Sequence, residues 1–180
     1  MTPIDRMYED HKGVLEYLSS TGQASHHATL QTTLPKVLLL AAASEFEYKV
    51  CEAIRDHVRR NTLDVKILEL VDQKAIKRQY HTLFDWERRN ASKFWSLFGA
   101  EFKQGMVGYC KENPDFEDGI AGFMEIGSLR NQLVHNNYAG FPLEKTLRDV
   151  YGLYEKGNTF VQSLPATLGM SFNEDDPEKV

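Results

Sequence analysis

The stretch that decides the fold runs from Phe116 to His135 and reads FEDGIAGFMEIGSLRNQLVH. Its apolar side chains recur three and four residues apart, which places them on one side of an α-helix. On a helical wheel this apolar arc comprises Phe116, Phe123, Met124, Ile126, Leu129, Leu133 and Val134. Arg130 falls in the middle of the arc, where a charge is costly unless it is paired or lines a pocket that takes an anion. The stretch therefore predicts a core helix with an unusually placed arginine.

Helical spacing recurs along nearly all of the chain, without strand-like alternation over five or more residues. We predict an all-α, single-domain bundle of about five to six helices. They span about Asp5–Leu18, Thr32 or Thr33 to Arg60, Leu63–Tyr80, Trp86 or Asn90 to Lys111 with a break near Gly99 or Gly105, Phe116–His135 and Leu143–Leu164. In this scheme Pro35 lies in the first turn of the second helix, and Pro165 ends the last helix.

Three segments follow from this pattern. Residues 1–33 form an N-terminal helix and a polar connector, residues 34–165 form the helical domain, and residues 166–180 form an acidic tail that we expect to be disordered. The N-terminus is charged throughout and lacks the apolar run of a secretory signal. The run Val37–Ala43 is far too short for a membrane span. We therefore expect a cytoplasmic protein.

The formal net charge of −5 argues against binding of nucleic acid through bulk positive charge. Basic residues nevertheless cluster in the middle of the chain. The candidates for weak RNA contacts are Arg59, Arg60, Lys77, Arg78, Arg88 and Arg89. Such clusters are also typical of a solvated helix face, so they support RNA binding without establishing it.

Two residues that follow Arg130 are candidates for a shared site. Asn131 and His135 lie on one helix face, whereas Arg130 and His135 are about 140° apart on a continuous helix. Arg130 and His135 converge if the helix ends near His135, and the turn-forming sequence Asn136–Pro142 indicates such an end. They also converge if two copies of the chain face each other. Glu47 falls in the apolar arc of the second helix and could pair with Arg130, either in support of the site or as a purely structural ion pair.

No pattern in the sequence calls for a metal or a cofactor. His26 and His27 are adjacent and lack further ligands at the spacing of a zinc site. Neither a phosphate-binding glycine loop nor a dinucleotide-binding fingerprint occurs. Aromatic residues from Trp86 to Phe102 could stack on bases, although aromatics at helical spacing more often form core or interface.

The sequence around Arg130 resembles the HEPN superfamily, a group of helical domains marked by an arginine and, after four to six residues, a histidine. Here the motif reads RNQLVH, from Arg130 to His135, and Asn131 fits the polar residue that often follows the arginine. The stretch Leu38–Val50 is similar to the first long helix of the RiboL-PSP-HEPN branch. The resemblance covers about Leu34–Leu164.

Catalytic members of this superfamily are metal-independent endoribonucleases, usually dimers that bring two motifs into one cleft. The resemblance implies that His135 acts as general base or acid, that Arg130 binds the scissile phosphate, and that Asn131 orients substrate or His135. It also implies products with 2′,3′-cyclic phosphate and 5′-hydroxyl ends. A homodimer with the active cleft at its interface and a role in defence or stress response would follow.

Two alternatives stay open at this point. Some members only bind RNA or nucleotides, and a helical interaction protein would explain an Arg130–Glu47 pair as structural.

Members paired with a nucleotidyltransferase antitoxin tend to carry a tyrosine two residues after the histidine, whereas Asn137 stands there and Tyr138 follows it. The resemblance therefore leaves open whether the chain has a regulatory or antitoxin partner.

Overall fold

The computed structural model describes residues 1–172, and its regular structure is entirely helical. The helices are α1 (Pro3–Ser20), α2 (Ala24–Asn61), α3 (Val65–Val71), α4 (Tyr80–Leu83), α5 (Ser92–Ser96), α6 (Ala100–Glu112), α7 (Pro114–His135) and α8 (Leu147–Thr167), with a π-helical turn over Asp72–Ile76. The prediction of an all-α, single-domain bundle is confirmed. The described residues form eight helices rather than five or six, because the third and fourth predicted regions break into shorter pieces.

The breaks have local causes in the backbone. Phe84 is extended, with φ of −120° and ψ of 156°, and ends α4. Gly99 has φ of +108°, a conformation that glycine adopts far more readily than other residues, and it separates α5 from α6. Of the two glycines at which an interruption was predicted, Gly105 stays inside α6.

The long helices α7 and α8 approach each other closely and form the centre of the core. A Cβ atom on Gly122 of α7 would lie 2.8 Å from the Cβ of Lys156 on α8, so the contact depends on glycine. Phe46 of α2 packs beside this pair, with its ring centroid 5.5 Å from those of both Tyr154 and Phe123. These contacts hold α7 against α2, and this fixes the position of the site between them.

The apolar arc predicted for α7 packs in the core, with one exception. Phe123, Met124, Ile126 and Leu133 are buried, and Phe116 and Leu129 are partly buried against them. Val134, however, is 49% exposed. It lies four residues after Arg130 on the same side of the helix, and this side is not covered by the core.

Helix α2 begins at Ala24, so the predicted start at Thr32 or Thr33 is wrong, and Pro35 lies inside the helix. The preceding residues are polar and therefore carry no apolar periodicity. They are helical nonetheless, and threonine hydroxyls bond to carbonyls one turn back, as in Thr33 Oγ1 to Thr29 O at 2.9 Å. The connector predicted between the first two helices is thus reduced to the residues 21–23.

Helix α8 continues through Pro165 to Thr167, so the predicted end of the last helix at Pro165 is wrong. Beyond the helix, Phe172 packs against Phe102 of α6, with 5.6 Å between the ring centroids. Residues 173–180, which include most of the predicted disordered tail, lie outside the described residues.

Candidate active site

The residues singled out around the motif line one cleft of about 390 Å³. The cleft lies between α2, α7 and the segment that joins the π-helical turn to α5. It is lined by Ala43, Phe46, Glu47, Arg78, Tyr80, His81, Trp86, Phe123, Ile126, Gly127, Arg130, Asn131 and His135. The polar part of this lining comprises two arginines, two histidines, an asparagine, a tyrosine and one glutamate. Arg130, Asn131, His135 and Glu47 are thus brought together, and Arg78 joins them.

Arg130 is half-buried, and its Nη1 donates a hydrogen bond to Asn131 Oδ1 at 3.0 Å. The predicted ion pair with Glu47 is absent, because no carboxylate within residues 1–172 forms an ion pair with Arg130. Glu47 is exposed rather than buried. It points toward α7 as its place on the wheel predicts, but the space there is an open cleft, where solvent can hydrate a carboxylate. Arg130 therefore has its charge available for an anion.

His135 is the last residue of α7 and is exposed. The helix ends there because Asn136 caps it: its backbone N and its Nδ2 both donate to Gln132 O, at 3.0 and 2.9 Å. Asn137 then adopts φ of +32°, in the left-handed direction that asparagine tolerates better than most residues. The predicted helix end near His135 is confirmed. Both Arg130 and His135 line the cleft despite their angular separation.

A buried lysine that no sequence motif marks holds the turn after His135. Lys36 is only 8% exposed, and its Nζ donates to Tyr138 O at 3.1 Å. The same ammonium group lies 5.5 Å from the centroid of the Tyr138 ring, within the range of a cation–π contact. A lysine between Pro35 and the apolar run Val37–Ala43 was the signal that could have identified it. Lys36 therefore links α2 to the end of the motif.

The segment between the π-helical turn and α5 contributes Arg78 and His81 to the cleft. Arg78 has φ of +61°, a left-handed conformation that is uncommon for residues other than glycine. Trp86 Nε1 donates to His81 O at 2.9 Å. The Trp86 ring in turn lies over Gly127 of α7, where a Cβ atom would collide with the indole. This glycine thus ties the segment that carries His81 to the helix that carries Arg130.

Tyr80 lies in the same wall, with its ring centroid 5.6 Å from that of Trp86. Burial raises the pKa of Tyr80 well above its ordinary value. The charge of Glu47 acts in the same direction, and the Arg130 guanidinium opposes it. The phenol therefore stays protonated at neutral pH and is available as a neutral hydrogen-bond donor in the cleft.

The other basic residues proposed for RNA contacts do not line the cleft. The exposed residues Arg59, Arg88 and Arg89 pair with Asp56, Asp85 and Glu125 at 3.1, 3.2 and 3.8 Å, and Arg60 and Lys77 are exposed. Exposed pairs of this kind contribute at most about 1 kcal/mol each. Of the six candidates, Arg78 has the position from which a ligand in the cleft could be contacted.

The cleft is positively charged although the protein as a whole is acidic, with a net charge of −5. Two arginines face one glutamate, so one positive charge remains when both histidines are neutral, and each protonated histidine adds another. Arginine forks suit the oxygens of a phosphate, and histidines change charge near neutral pH. The lining can therefore both bind a phosphate ester and move protons around it.

Outside the cleft, three features concern membrane spans, metal sites and the histidine His57. Among the helices of residues 1–172, none is long and apolar enough to cross a membrane. In the same part of the chain, no group of three His, Cys, Asp or Glu side chains is arranged to hold a metal ion. His57, which the wheel places in the arc of the second helix, is half-buried with its ring edge-on to Phe98 at 6.5 Å.

Comparison with known proteins identifies the family of the chain. A family model described as RiboL-PSP-HEPN matches residues 6–169, from the first turn of α1 to the residues just after α8. Comparisons with curated proteins and with solved structures gave no significant match. The matched range includes all the residues that line the cleft. The chain therefore belongs to the RiboL-PSP-HEPN family.

Proposed function

We propose that this protein is a metal-independent endoribonuclease whose active centre contains Arg130, Asn131 and His135. Family membership supports a function on RNA, because HEPN domains are often ribonucleases. The observation that carries the proposal is that Arg130 and His135 line one cleft although the helix sets them about 140° apart. The proposed role in defence or stress response rests on the family resemblance.

In the proposed reaction the nucleophile belongs to the RNA itself. The 2′-oxygen attacks the adjacent phosphorus, the bond from phosphorus to the 5′-oxygen breaks, and the products carry a 2′,3′-cyclic phosphate and a 5′-hydroxyl. Arg130 binds the phosphate oxygens and stabilises the charge that develops on them. Asn131 holds the Arg130 guanidinium through the hydrogen bond at 3.0 Å. His135 takes the proton from the 2′-hydroxyl or gives one to the leaving 5′-oxygen.

Cleavage of single-stranded RNA in excess EDTA tests this proposal. We expect the wild-type protein to cleave and His135→Ala to lose about a hundredfold or more in rate, since acid–base catalysis contributes roughly 10²–10⁴. His26→Ala is the matched control, because His26 is exposed on α2 and does not line the cleft. The proposal is wrong if the wild-type protein leaves RNA intact, or if His135→Ala cleaves as fast as His26→Ala.

A second candidate function is the binding of RNA or a nucleotide without cleavage. It is favoured by one observation: within residues 1–172, no hydrogen bond holds the His135 imidazole in place. RNA bound in the cleft but left intact, both in EDTA and in magnesium, would identify this function.

We also propose a homodimer whose interface includes the cleft, as in other HEPN domains. Two side chains beside His135 support it, because Val134 and Tyr138 are 49% and 39% exposed. Sedimentation equilibrium at micromolar concentration should show a dimer that Val134→Glu weakens. A wild-type monomer under these conditions would contradict the proposal.

A further inference from the structure

We propose that Arg78 and His81 are a second phosphate-binding and proton-transferring pair in the cleft that also contains Arg130 and His135. This inference rests on the proposed function and assigns two further residues to the same cleft. Neither Arg78 nor His81 belongs to the motif Arg130–His135, because both lie in the segment between the π-helical turn and α5.

Arg78 differs from the other exposed arginines of this region. It lines the cleft, and within residues 1–172 no carboxylate forms an ion pair with it, whereas Arg88 and Arg89 pair with Asp85 and Glu125. Its backbone is held at φ of +61°, which costs energy in any residue with a side chain. A guanidinium without an ion pair, in the same cleft as that of Arg130, is well suited to binding a phosphate.

The position of His81 relative to α7 is set by packing rather than by chance. Its carbonyl accepts a hydrogen bond from Trp86 Nε1 at 2.9 Å, and the Trp86 indole fills the space that Gly127 leaves on α7. The centroid of the Trp86 ring also lies 5.8 Å from that of Phe123. The wall that carries His81 is therefore fixed to the helix that carries Arg130.

With two histidines the proposed reaction balances its protons within the cleft. One neutral histidine accepts the proton of the 2′-hydroxyl as its oxygen bonds to phosphorus. The other, protonated histidine gives its proton to the 5′-oxygen as that oxygen leaves. No oxidant or further reactant is needed, and the two histidines end with exchanged protonation states.

The proposed reaction requires one neutral and one protonated histidine, so the rate of RNA cleavage should have a bell-shaped dependence on pH. The charged and titratable groups that line the cleft with His81 come from three elements. They are Glu47 of α2, Arg78 and Tyr80 of the same segment, and Arg130 and His135 of α7. Both histidines thus share the cleft with two arginines and one glutamate.

Kinetics on a single-stranded RNA in EDTA test the proposal. We expect His81→Gln to lower kcat about a hundredfold and to remove one limb of the pH profile. Arg78→Ala should mainly raise KM, by roughly ten- to a hundredfold, since it removes charge-assisted hydrogen bonds to the phosphate. The matched controls are His26→Ala and Arg6→Ala, both exposed and outside the cleft. A wild-type rate and profile in His81→Gln would overturn the inference and leave the proposed function standing.

Histidine NMR spectra separate this inference from the proposed function. Adenosine 2′,3′-cyclic phosphate is added to the protein, and the ring signals of His81 and His135 are assigned through His81→Gln and His135→Ala. We expect both signals to shift with one saturating curve, which Arg78→Ala weakens. A shift of His135 alone would refute the shared site even if RNA is cleaved. If RNA is not cleaved, the proposed function and the proton transfer both fail, and joint shifts would then retain only the shared phosphate site.

Discussion

Replacing Arg130 with alanine distinguishes an arginine that serves a ligand from one that holds the fold together. In the described chain its guanidinium bonds to the neutral side chain of Asn131 and has no carboxylate partner. Because Arg130 is only half-buried, losing this hydrogen bond should cost about 1 kcal/mol. Breaking a buried ion pair would instead cost about 3–5 kcal/mol. For a chain of this size 1 kcal/mol corresponds to a fall in Tm of roughly 2–4 °C.

The effect of the same substitution on activity should be far larger. Removing one group that stabilises developing charge typically lowers kcat about 10²–10³-fold. Urea denaturation followed by circular dichroism gives the stability, and cleavage of RNA in EDTA gives the rate, with Arg6→Ala as the charge-matched control. A loss of 3 kcal/mol or more would show that Arg130 belongs to a structural pair. An unchanged rate would remove it from the active centre.

Three further outcomes follow from contacts around the cleft. Gly127→Ala should displace the Trp86 indole, lower stability by about 1–3 kcal/mol and shift tryptophan fluorescence to the red; an unchanged spectrum would contradict this packing. Lys36→Met should leave the Tyr138 carbonyl without its donor, cost about 1–3 kcal/mol and slow RNA cleavage; full activity would show that the turn does not position His135. Burial lowers the pKa of His57 below its ordinary 6.5, so the unfolded chain binds more protons below that pH. The contribution of His57 to the free energy of unfolding should be fully present above pH 6.5 and decrease as the pH falls below it. Over this range the midpoint of urea denaturation should fall less in His57→Gln than in the wild-type protein.

The helices that carry the motif could be predicted because their apolar residues follow a regular period. Between Phe116 and His135 this period continues on both sides of Arg130, and the asparagines after His135 mark the end of α7. The beginning of α2 could not be read in this way, because Ala24 to Thr33 is polar and its helical state depends on continuity with the apolar turns that follow.

Glu47 shows what a helical wheel can and cannot determine. The wheel gives the direction of a side chain correctly, and Glu47 does lie on the side that meets α7. It cannot show whether that side is filled by core or opens into a cleft, which depends on the path of distant segments. The predicted pair with Arg130 failed for this reason.

The segment that carries Arg78 and His81 could not be placed beside the cleft from the sequence, for a similar reason. In the sequence Arg78 is one member of a basic cluster, and no pattern marks His81. Their segment contains only one short helical turn and no periodicity, and it is placed by Trp86 against Gly127. A glycine three residues before Arg130 was the available signal for a close contact, but the sequence does not say which residue makes it.

The most direct test of the central claim is the chemical identity of the ends that the protein leaves on a defined RNA oligonucleotide, determined by mass spectrometry after digestion in EDTA. Attack by the 2′-oxygen, assisted by His135 and Arg130, predicts a 2′,3′-cyclic phosphate on one fragment and a 5′-hydroxyl on the other. Fragments ending in a 3′-hydroxyl and a 5′-phosphate would contradict the account, because the nucleophile would then not be the neighbouring 2′-oxygen.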